Sequence, residues 1–539
     1  MEFNLADLFE AVADAVPEST AVVFGDRRLT YRELEARANQ VAHALVARDI
    51  GVDDHVGLYL HSCAEFLEAM LACFKVRAVP INVNDRYVAG EVAHLVEDAD
   101  LVALVWSPAL APEVEQLDVG SWARLAVETG PDYEALIADA SASRDFEPRS
   151  GDDHYILYTG GTTGRPKGVV WRHEDIFFTA IGGGNPGGSP LEAPEQLVPA
   201  NLANPNQRLT PFLPDDDPGP GELVALSLGP LAHASGQWLA LGALLGGGTI
   251  VLYDRDTMDI AHVLELVERE HVGMLTLVGD ATGRPLLDRL TALPGVTDTS
   301  SLRLLGSGGS ILSGDVKDGL LAAMPSVAAL IEAIGSSESP SQAVAVTTPG
   351  GPPSRSLTFA AKAETTVVDD DLRQVPAGSG VVGRLATRGR APLRYHKDPA
   401  RSARTFVEID GERWTLPGDM ATVDADGTIR LVGRGSMCIN TGGEKVYPEE
   451  VEAVLKAHPA VADAVVVGVT DETWGQRVVA VVAVADGVTA PTLDEVRAYC
   501  RAHLAGYKAP RAVHAVAAIR RSAAGKPDYT WAAEVAAAR

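Results

Sequence analysis

Between residues 56 and 105 short apolar runs alternate with helical stripes, and this alternation commits the chain to a parallel α/β sheet. Val56-Gly-Leu-Tyr-Leu60, Val79-Pro-Ile-Asn82 and Leu101-Val-Ala-Leu-Val105 read as buried strands. A helix from about residue 62 to 74 and another near Glu91 fall between them. Parallel strands need a crossover long enough for a helix, so this rhythm selects parallel pairing with both faces covered. Upstream, Thr30-Tyr-Arg-Glu33 is a capping box, and Leu34, Ala38, Val41, Ala42 and Leu45 keep a helical stripe behind it. The rhythm resumes with a helix near residues 260–271, the strand Met274-Leu-Thr-Leu-Val278 and the run Leu302-Arg-Leu-Leu305.

After about residue 355 short strands with Gly and Asp turns predict a smaller β subdomain. Beyond Arg434 a second domain is expected. It carries Val461-Ala-Asp-Ala-Val-Val-Val467, Arg477-Val-Val-Ala-Val-Val482, a helix from about 493 to 504, and Ala512-Val-His-Ala-Val516. Pro448, with Glu449 and Glu450 behind it, opens a helix whose core face is Val451, Val454 and Leu455. The expected division is residues 1–435 and 436–539.

The stretch Tyr158-Thr-Gly-Gly-Thr-Thr-Gly-Arg-Pro-Lys-Gly168 packs four glycines, three threonines and a lysine into eleven residues. It follows the apolar run Tyr155-Ile-Leu-Tyr158, a buried strand. Glycines let backbone N–H groups approach an anion closely, threonine hydroxyls add donors, and Lys167 adds charge. A loop of this make-up can wrap a nucleotide triphosphate. It is not a Walker A loop, because Pro166 precedes the lysine and no Ser or Thr follows it. A surface linker is the alternative for the loop alone.

The bulk properties narrow the partners. The net charge of −28 argues against a nucleic-acid partner, since phosphate backbones need basic patches. ATP and similar anions stay admissible, because local positive sites can sit on an acidic body. Cys63, Cys73, Cys438 and Cys500 are widely spaced, with no C-x-x-C and no metal pattern. They read as small hydrophobes in a reducing compartment. The acidic N-terminus lacks a basic n-region, so no secretory signal is expected and the protein is read as cytoplasmic. From Leu223 to Tyr253 the chain is nearly free of charge. Pro230, Ser235, Gln237 and Gly246-Gly-Gly248 interrupt that run, which predicts a buried helix over roughly 233–245 and the strand Thr249-Ile-Val-Leu-Tyr253, not a membrane span.

The glycine-rich stretch resembles the phosphate loop of the adenylate-forming superfamily, which includes acyl-CoA synthetases, firefly-type luciferases and peptide-synthetase adenylation domains. Five further segments resemble its motifs in the family's order. Leu29-Thr-Tyr-Arg-Glu-Leu-Glu-Ala-Arg-Ala-Asn-Gln is similar to the N-terminal helix, and Ile334-Gly-Ser-Ser-Glu-Ser339 to the adenine and magnesium motif. Leu416-Pro-Gly-Asp419 is similar to the ribose motif. Gly433-Arg434 with Gly442-Gly-Glu-Lys-Val-Tyr-Pro448 is similar to the domain junction, and Ser522-Ala-Ala-Gly-Lys526 to the C-terminal lysine motif.

The resemblance implies a large N-terminal domain of parallel α/β sheets with a β subdomain, and a small mobile α+β C-terminal domain. It implies a ligase that joins a carboxylate to the α-phosphate of ATP, releases pyrophosphate, and passes the acyl group to coenzyme A, with Mg²⁺ as cofactor. Lys526 is expected to bridge the carboxylate and α-phosphate. Thr159, Gly160, Gly161, Thr162, Thr163 and Lys167 are expected to hold the outer phosphates. Glu338 is the expected Mg²⁺ ligand, a hard cation preferring oxygen. Ser337 lies within the same motif. Asp419 is expected to accept the ribose hydroxyls, and Arg434 to contact ribose or phosphate. Ser307, Gly308, Gly309 and Ser310 are expected beside the adenine plane and acyl carbonyl. His233, in Pro230-Leu-Ala-His-Ala-Ser-Gly, is expected to line the acyl pocket. Gly442, Gly443, Glu444 and Lys445 are expected to meet the pantetheine of CoA.

Residues 182–221, rich in Gly, Pro and Asn, read as a long surface loop; a lid beside the acyl pocket is the other reading. The hinge departs from the usual pattern: Ser436 stands where many members carry Asp or Lys, and Met437 where Asp usually follows. Together with Trp171-Arg-His-Glu-Asp175, Tyr447-Pro-Glu-Glu450 and Gly525-Lys-Pro-Asp-Tyr529 this resembles actinobacterial fatty-acid and steroid-carboxylate CoA ligases. That likeness implies a long-chain or polycyclic acid, such as a steroid or terpenoid carboxylate. The hinge departure keeps open an enzyme that only thioesterifies a preformed adenylate, and a non-catalytic nucleotide or acyl-CoA sensor is the reading from another class. The sequence leaves open whether the chain works alone or as a homodimer.

Overall fold

In a computed structural model the chain builds three sheets, of seven, fifteen and five strands among the described residues. Those residues are 1–161, 164–183, 189–203, 222–310, 312–352, 357–441, 444–471, 475–504, 506–522 and 525–538. The side chains at 165, 434, 436, 440, 444 and 445 also lie outside the description.

The seven-stranded sheet has the expected parallel centre. Leu125–Glu128, Leu101–Trp106, His55–Tyr59, Val79–Asn82 and His154–Gly161 lie side by side and run in the same direction. The helix Ala64–Lys75 crosses between His55–Tyr59 and Val79–Asn82. The sheet then reverses direction at Gly164–Arg172, which pairs antiparallel with His154–Gly161.

The fifteen-stranded sheet has two characters. Thr20–Phe24, Thr249–Leu252, Val224–Ser227, Met274–Leu277, Leu304–Gly308 and Ala329–Ser336 form a parallel run. From Ser339–Thr347 onward every pairing is antiparallel. The expected β subdomain is therefore a continuation of this sheet, joined at Ala343↔Ala361 and Val344↔Ala360. The apolar run at 223–253 folds into the helix Ala234–Leu245 and the strand Thr249–Leu252, both largely buried. Among the described residues no helix is long and apolar enough to cross a membrane.

One expectation needs correction. Part of the stretch read as a surface loop, residues 182–221, is an ordered helix, Leu197–Ala203. Leu197 is fully buried, and Asn201 Nδ2 donates to the Leu245 carbonyl at 2.6 Å. The Gly- and Pro-rich composition masked this short apolar segment. Residues 184–188 and 204–221 lie outside the described residues, so the lid reading is neither supported nor opposed there.

The five-stranded sheet explains the nearly unbroken valine runs near the C-terminus. Side chains alternate between faces. Ala464, Val466, Val478, Ala480 and Val482 pack with Val451, Leu455 and Val496. Val465, Val467, Val479 and Val481 pack with Ala532 and Ala536 of the terminal helix Tyr529–Ala537. With helices on both faces, the central positions Ala464–Val467 and Val478–Val482 are apolar on both sides, and polar residues such as Asp463 and Asp471 fall toward the strand ends.

Two buried amides bracket the large sheets together. Asn82 Nδ2 donates to the carbonyls of Tyr158, at 2.8 Å, and Ala232, at 2.7 Å, while its Oδ1 accepts the Tyr158 N–H at 2.9 Å. Gln237 accepts the Tyr155 hydroxyl at 2.6 Å and donates to the Leu231 carbonyl at 2.8 Å. Tyr158 opens the glycine-rich stretch and Ala232 precedes His233, so the brackets set one against the other. An Asn82→Asp variant replaces a double donor with acceptors facing two carbonyls. It is expected to lose about 3 kcal/mol, read as a lowered urea midpoint. An unchanged midpoint would contradict the bracket.

Candidate active site

The glycine-rich stretch is the turn of a β-hairpin. His154–Gly161 and Gly164–Arg172 pair with Thr159 opposite Lys167 and Gly161 opposite Gly164. The arrangement differs from a strand-to-helix phosphate loop, because the lysine rides on the returning strand. Thr162 and Thr163 lie outside the described residues.

Lys167 points from that strand to Glu338 on the other sheet. Its Nζ lies 2.6 Å from Glu338 Oε1 and 3.1 Å from the Tyr395 hydroxyl, which itself donates to Glu338 Oε1 at 2.6 Å. Nζ also sits 4.4 Å from the Tyr395 ring centroid, within cation–π range. Glu338 is 5 % exposed. Burial pushes its carboxyl upward, but the Lys167 charge and the hydrogen bonds of Lys167, Tyr395 and Ser336 outweigh it and hold it at about 2. It is therefore a buried, ionised carboxylate with one cation against it.

The chain around Glu338 is held from both sides. Trp171 Nε1 donates to the Ser337 carbonyl at 2.9 Å. The Ser336 hydroxyl accepts the N–H groups of Glu338 and Ser339 at 3.3 Å. The strands Ala329–Ser336 and Ser339–Thr347 shift register between Ile334 and Ser336. There a Cβ on Gly335 would press into the Pro340 carbonyl, so only glycine fits.

His233 caps the backbone of the helix Ala234–Leu245 without a side-chain cap bond. The residue is half-buried, and its buried Nε2 has no hydrogen-bond partner among the described residues. Burial, then the Lys526 and Arg86 charges, push its pKa down to about 4, so the ring is neutral at pH 7. The C-terminal loop thus reaches the large domain beside His233. Gly525, at φ +68°, leans on Val278 and Ala281, where an added Cβ would collide with the Val278 side chain. Nearby, Ser307 Oγ accepts the Gly279 N–H at 3.3 Å, and Gly308 ends its strand before Gly309 turns at φ +76°.

Asp419, 5 % exposed, and Arg434 are direct partners across the strands Asp419–Val423 and Ile429–Arg434. The Gly435 N–H returns to the Gly418 carbonyl at 3.0 Å, and the hinge residue Ser436 lies in the 3₁₀ turn Gly435–Met437. Glu444 and Lys445 begin the strand Glu444–Val446, paired antiparallel with Ile439–Thr441. Gly442 and Gly443, between them, lie outside the described residues.

The residues therefore gather in groups: Lys167, Ser337 and Glu338 in one, His233 and Lys526 in another, Asp419 opposite Arg434. Gly161, Ser227, Gly308 and Ser336 all stand at the C-terminal ends of their strands, where open α/β sheets bind ligands. Sequence reasoning missed Tyr395 and Asn82. Neither sits in a glycine-rich or charged pattern, and only their long-range contacts reveal them. Among the described residues no group of three His, Cys, Asp or Glu side chains could hold a metal ion. Glu338, ionised and offering oxygen to a hard cation, fits Mg²⁺ as a single protein ligand, with phosphate oxygens and water completing the shell.

Residues 9–394 match the AMP-binding enzyme family, and residues 450–526 match the AMP-binding enzyme C-terminal domain. The chain is 41% identical to a 3-oxocholest-4-en-26-oate–CoA ligase of Rhodococcus rhodochrous, over 99% of this chain and 96% of the relative. It is 42% identical to a medium/long-chain-fatty-acid–CoA/3-oxocholest-4-en-26-oate–CoA ligase of Mycolicibacterium smegmatis, over 99% and 97%. Among solved structures it is similar to the anthranilate CoA ligase AuaEII in complex with anthranoyl-AMP, with TM-score 0.81 and 25% identity over 99% and 98% of the two chains. ATP-bound MatB from Rhodopseudomonas palustris gives TM-score 0.79 and 25% identity over 99% of each.

The ion pair yields a test that needs no substrate. Lys167→Met strands an ionised carboxylate in a buried site, at an expected cost of about 3 kcal/mol in urea denaturation. Adding Glu338→Gln to that variant should recover most of the loss. A double variant no more stable than Lys167→Met would contradict the pairing.

Proposed function

This chain belongs to the AMP-binding enzyme family and is an AMP-forming carboxylate–CoA ligase, and from that premise we propose that it activates a bulky polycyclic or long-chain hydrophobic acid. The relatives' identity over 99% of the chain supports this choice. So do the small residues Ala234, Ser235 and Gly236 at the head of the helix beside His233. A 3-oxo steroid with a side-chain carboxylate and a medium or long fatty acid are the two forms of acid the reading covers.

The observation that carries the mechanism is the meeting of the Lys526 loop with Val278, Ala281 and His233. In the proposed first step a carboxylate oxygen attacks the α-phosphorus of ATP, the bond from that phosphorus to the bridging oxygen breaks, and pyrophosphate leaves with the electron pair. Two anions must approach, so Lys526 lies between carboxylate and α-phosphate and offsets both. His233, neutral at pH 7, lines the acyl site without adding charge. Lys167, the backbone of Thr159–Gly161 and the hydroxyls of Thr162 and Thr163 hold the outer phosphates. Mg²⁺, held by Glu338, supplies charge neutralisation at the phosphates. Lys167 must then leave Glu338 for phosphate. Ser307–Gly309 and Ser337 border the adenine, and Asp419 with Arg434 holds the ribose.

In the second step the CoA sulfur attacks the acyl carbon, the carbon–oxygen bond to AMP breaks, AMP leaves, and the thiol proton passes to solvent. The proposed units for the exchange between steps are residues 1–435 and 436–539, with rotation at Ser436 bringing Gly442–Lys445 to the pantetheine. The four free cysteines support a reducing, cytoplasmic setting.

The test supplies steroid, fatty, aromatic and diterpenoid acids with Mg²⁺ and CoA, each once with ATP and once as preformed adenylate. Acyl-CoA is read by mass spectrometry. A 3-oxo-steroid or long-chain acid should give product from both forms, and Lys526→Ala should remove product from the ATP arm alone. Product from adenylates only would replace this reading with a thioesterifying half-enzyme, and nucleotide binding without product would replace it with a sensor.

A further inference from the structure

Lys526 sits on a short loop, and a flexible ammonium on a loop is a poor electrostatic catalyst unless its backbone is fixed. Here one arginine side chain ties that backbone to the sheet. Arg521 Nη1 donates to the Gly525 carbonyl at 2.7 Å, the peptide oxygen immediately before Lys526. The rest of the guanidinium is committed to Asp463: Nε donates to Oδ2 at 2.8 Å and Nη2 to Oδ1 at 2.7 Å. This is the planar two-point geometry that only Arg provides.

Asp463 is itself anchored. It belongs to the strand Val461–Asp471, which pairs along its length with Gly475–Val484 in the five-stranded sheet. Its Oδ1 accepts the Ala464 N–H at 2.8 Å and lies 3.4 Å from the Nζ of Lys456, whose side chain is 3 % exposed. The Arg521 side chain is 13 % exposed, so water competes little for these bonds. The loop closes on itself as well: the Ser522 N–H donates to the Lys526 carbonyl at 2.8 Å, and the Lys526 N–H to Ser522 Oγ at 3.2 Å.

We propose that Arg521, held by Asp463, is the positioning residue for Lys526, carrying the rigidity of the C-terminal sheet to the lysine in the adenylating arrangement. The chain of contacts is continuous from strand to Asp463, to Arg521, to the Gly525 carbonyl, to Lys526. At its far side Gly525 rests on Val278, so a displaced Gly525 peptide moves both the lysine and its seat on the large domain. The inference rests on the adenylating role given to Lys526 above. Thioester formation, for which the Lys526 loop has withdrawn, should not need Arg521.

The experiment uses the full chain and separates the half-reactions. Adenylation is followed as pyrophosphate released in a single turnover without CoA, with 3-oxocholest-4-en-26-oate and hexadecanoate as probe acids. Thioester formation is followed from their synthetic adenylates with CoA. Arg521→Ala should slow adenylation roughly 100-fold and leave thioester formation unchanged. Arg521→Lys, which keeps the charge and loses the fork, should show a smaller loss in the same half-reaction and carries the test if the alanine variant does not fold. In a Lys526→Ala background Arg521→Ala should cost nothing further. Equal slowing of both half-reactions, or losses that multiply in the double variant, would overturn the proposal in favour of a purely structural bond. Lys526→Ala with intact adenylation would instead overturn the reading of the lysine on which it rests.

Discussion

A carboxylate at 5 % exposure stays ionised only if a cation stands against it, and in this protein the two partners come from different sheets. Lys167 rides on the returning strand of the glycine-rich hairpin; Glu338 follows the last parallel strand of the larger sheet. Their contact therefore joins the two sheets. Tyr395, from a third segment, donates to the same carboxylate oxygen and lays its ring against the ammonium. The ammonium and the Tyr395 hydroxyl together offset the buried negative charge.

The same economy of charge runs through the remainder of the site. The acidic body, with net charge −28, repels anions at long range, yet each position proposed to meet phosphate or carboxylate carries a lysine, arginine or backbone N–H. His233 is half-buried and neutral, so it adds no charge where the acyl group is proposed to lie. Lys526 follows a five-stranded sheet that has apolar clusters of its own on both faces, rich in valine. The brackets of Asn82 and Gln237 keep the phosphate hairpin and the His233 helix in register meanwhile.

Much of this was legible in the sequence because local pattern and burial agree. The strand Val79–Asn82 has the bounds its apolar run announces, and the helix expected over 233–245 is Ala234–Leu245. Pro448 opens its helix with two acids in the first turn, as its position dictates. The run at Leu302 is shifted, to Leu304–Gly308, because pairing with both neighbours sets the strand's ends and hydrophobicity does not. What could not be read was long-range. Nothing local says that Lys167 meets a residue 171 positions away, or Tyr395 one 228 positions away. The helix Leu197–Ala203 was hidden by its Gly- and Pro-rich surroundings, since its stability comes from Leu245 and the core rather than from its own propensity.

The central claim is that a carboxylate oxygen becomes the bridge to AMP before it is displaced by CoA. The most direct measurement is the fate of that oxygen. A steroid or fatty acid labelled with ¹⁸O in both carboxylate positions would be turned over with ATP, Mg²⁺ and CoA, and the products weighed. The account predicts AMP carrying one ¹⁸O and acyl-CoA retaining the other. Unlabelled AMP, or ADP with labelled phosphate, would contradict it.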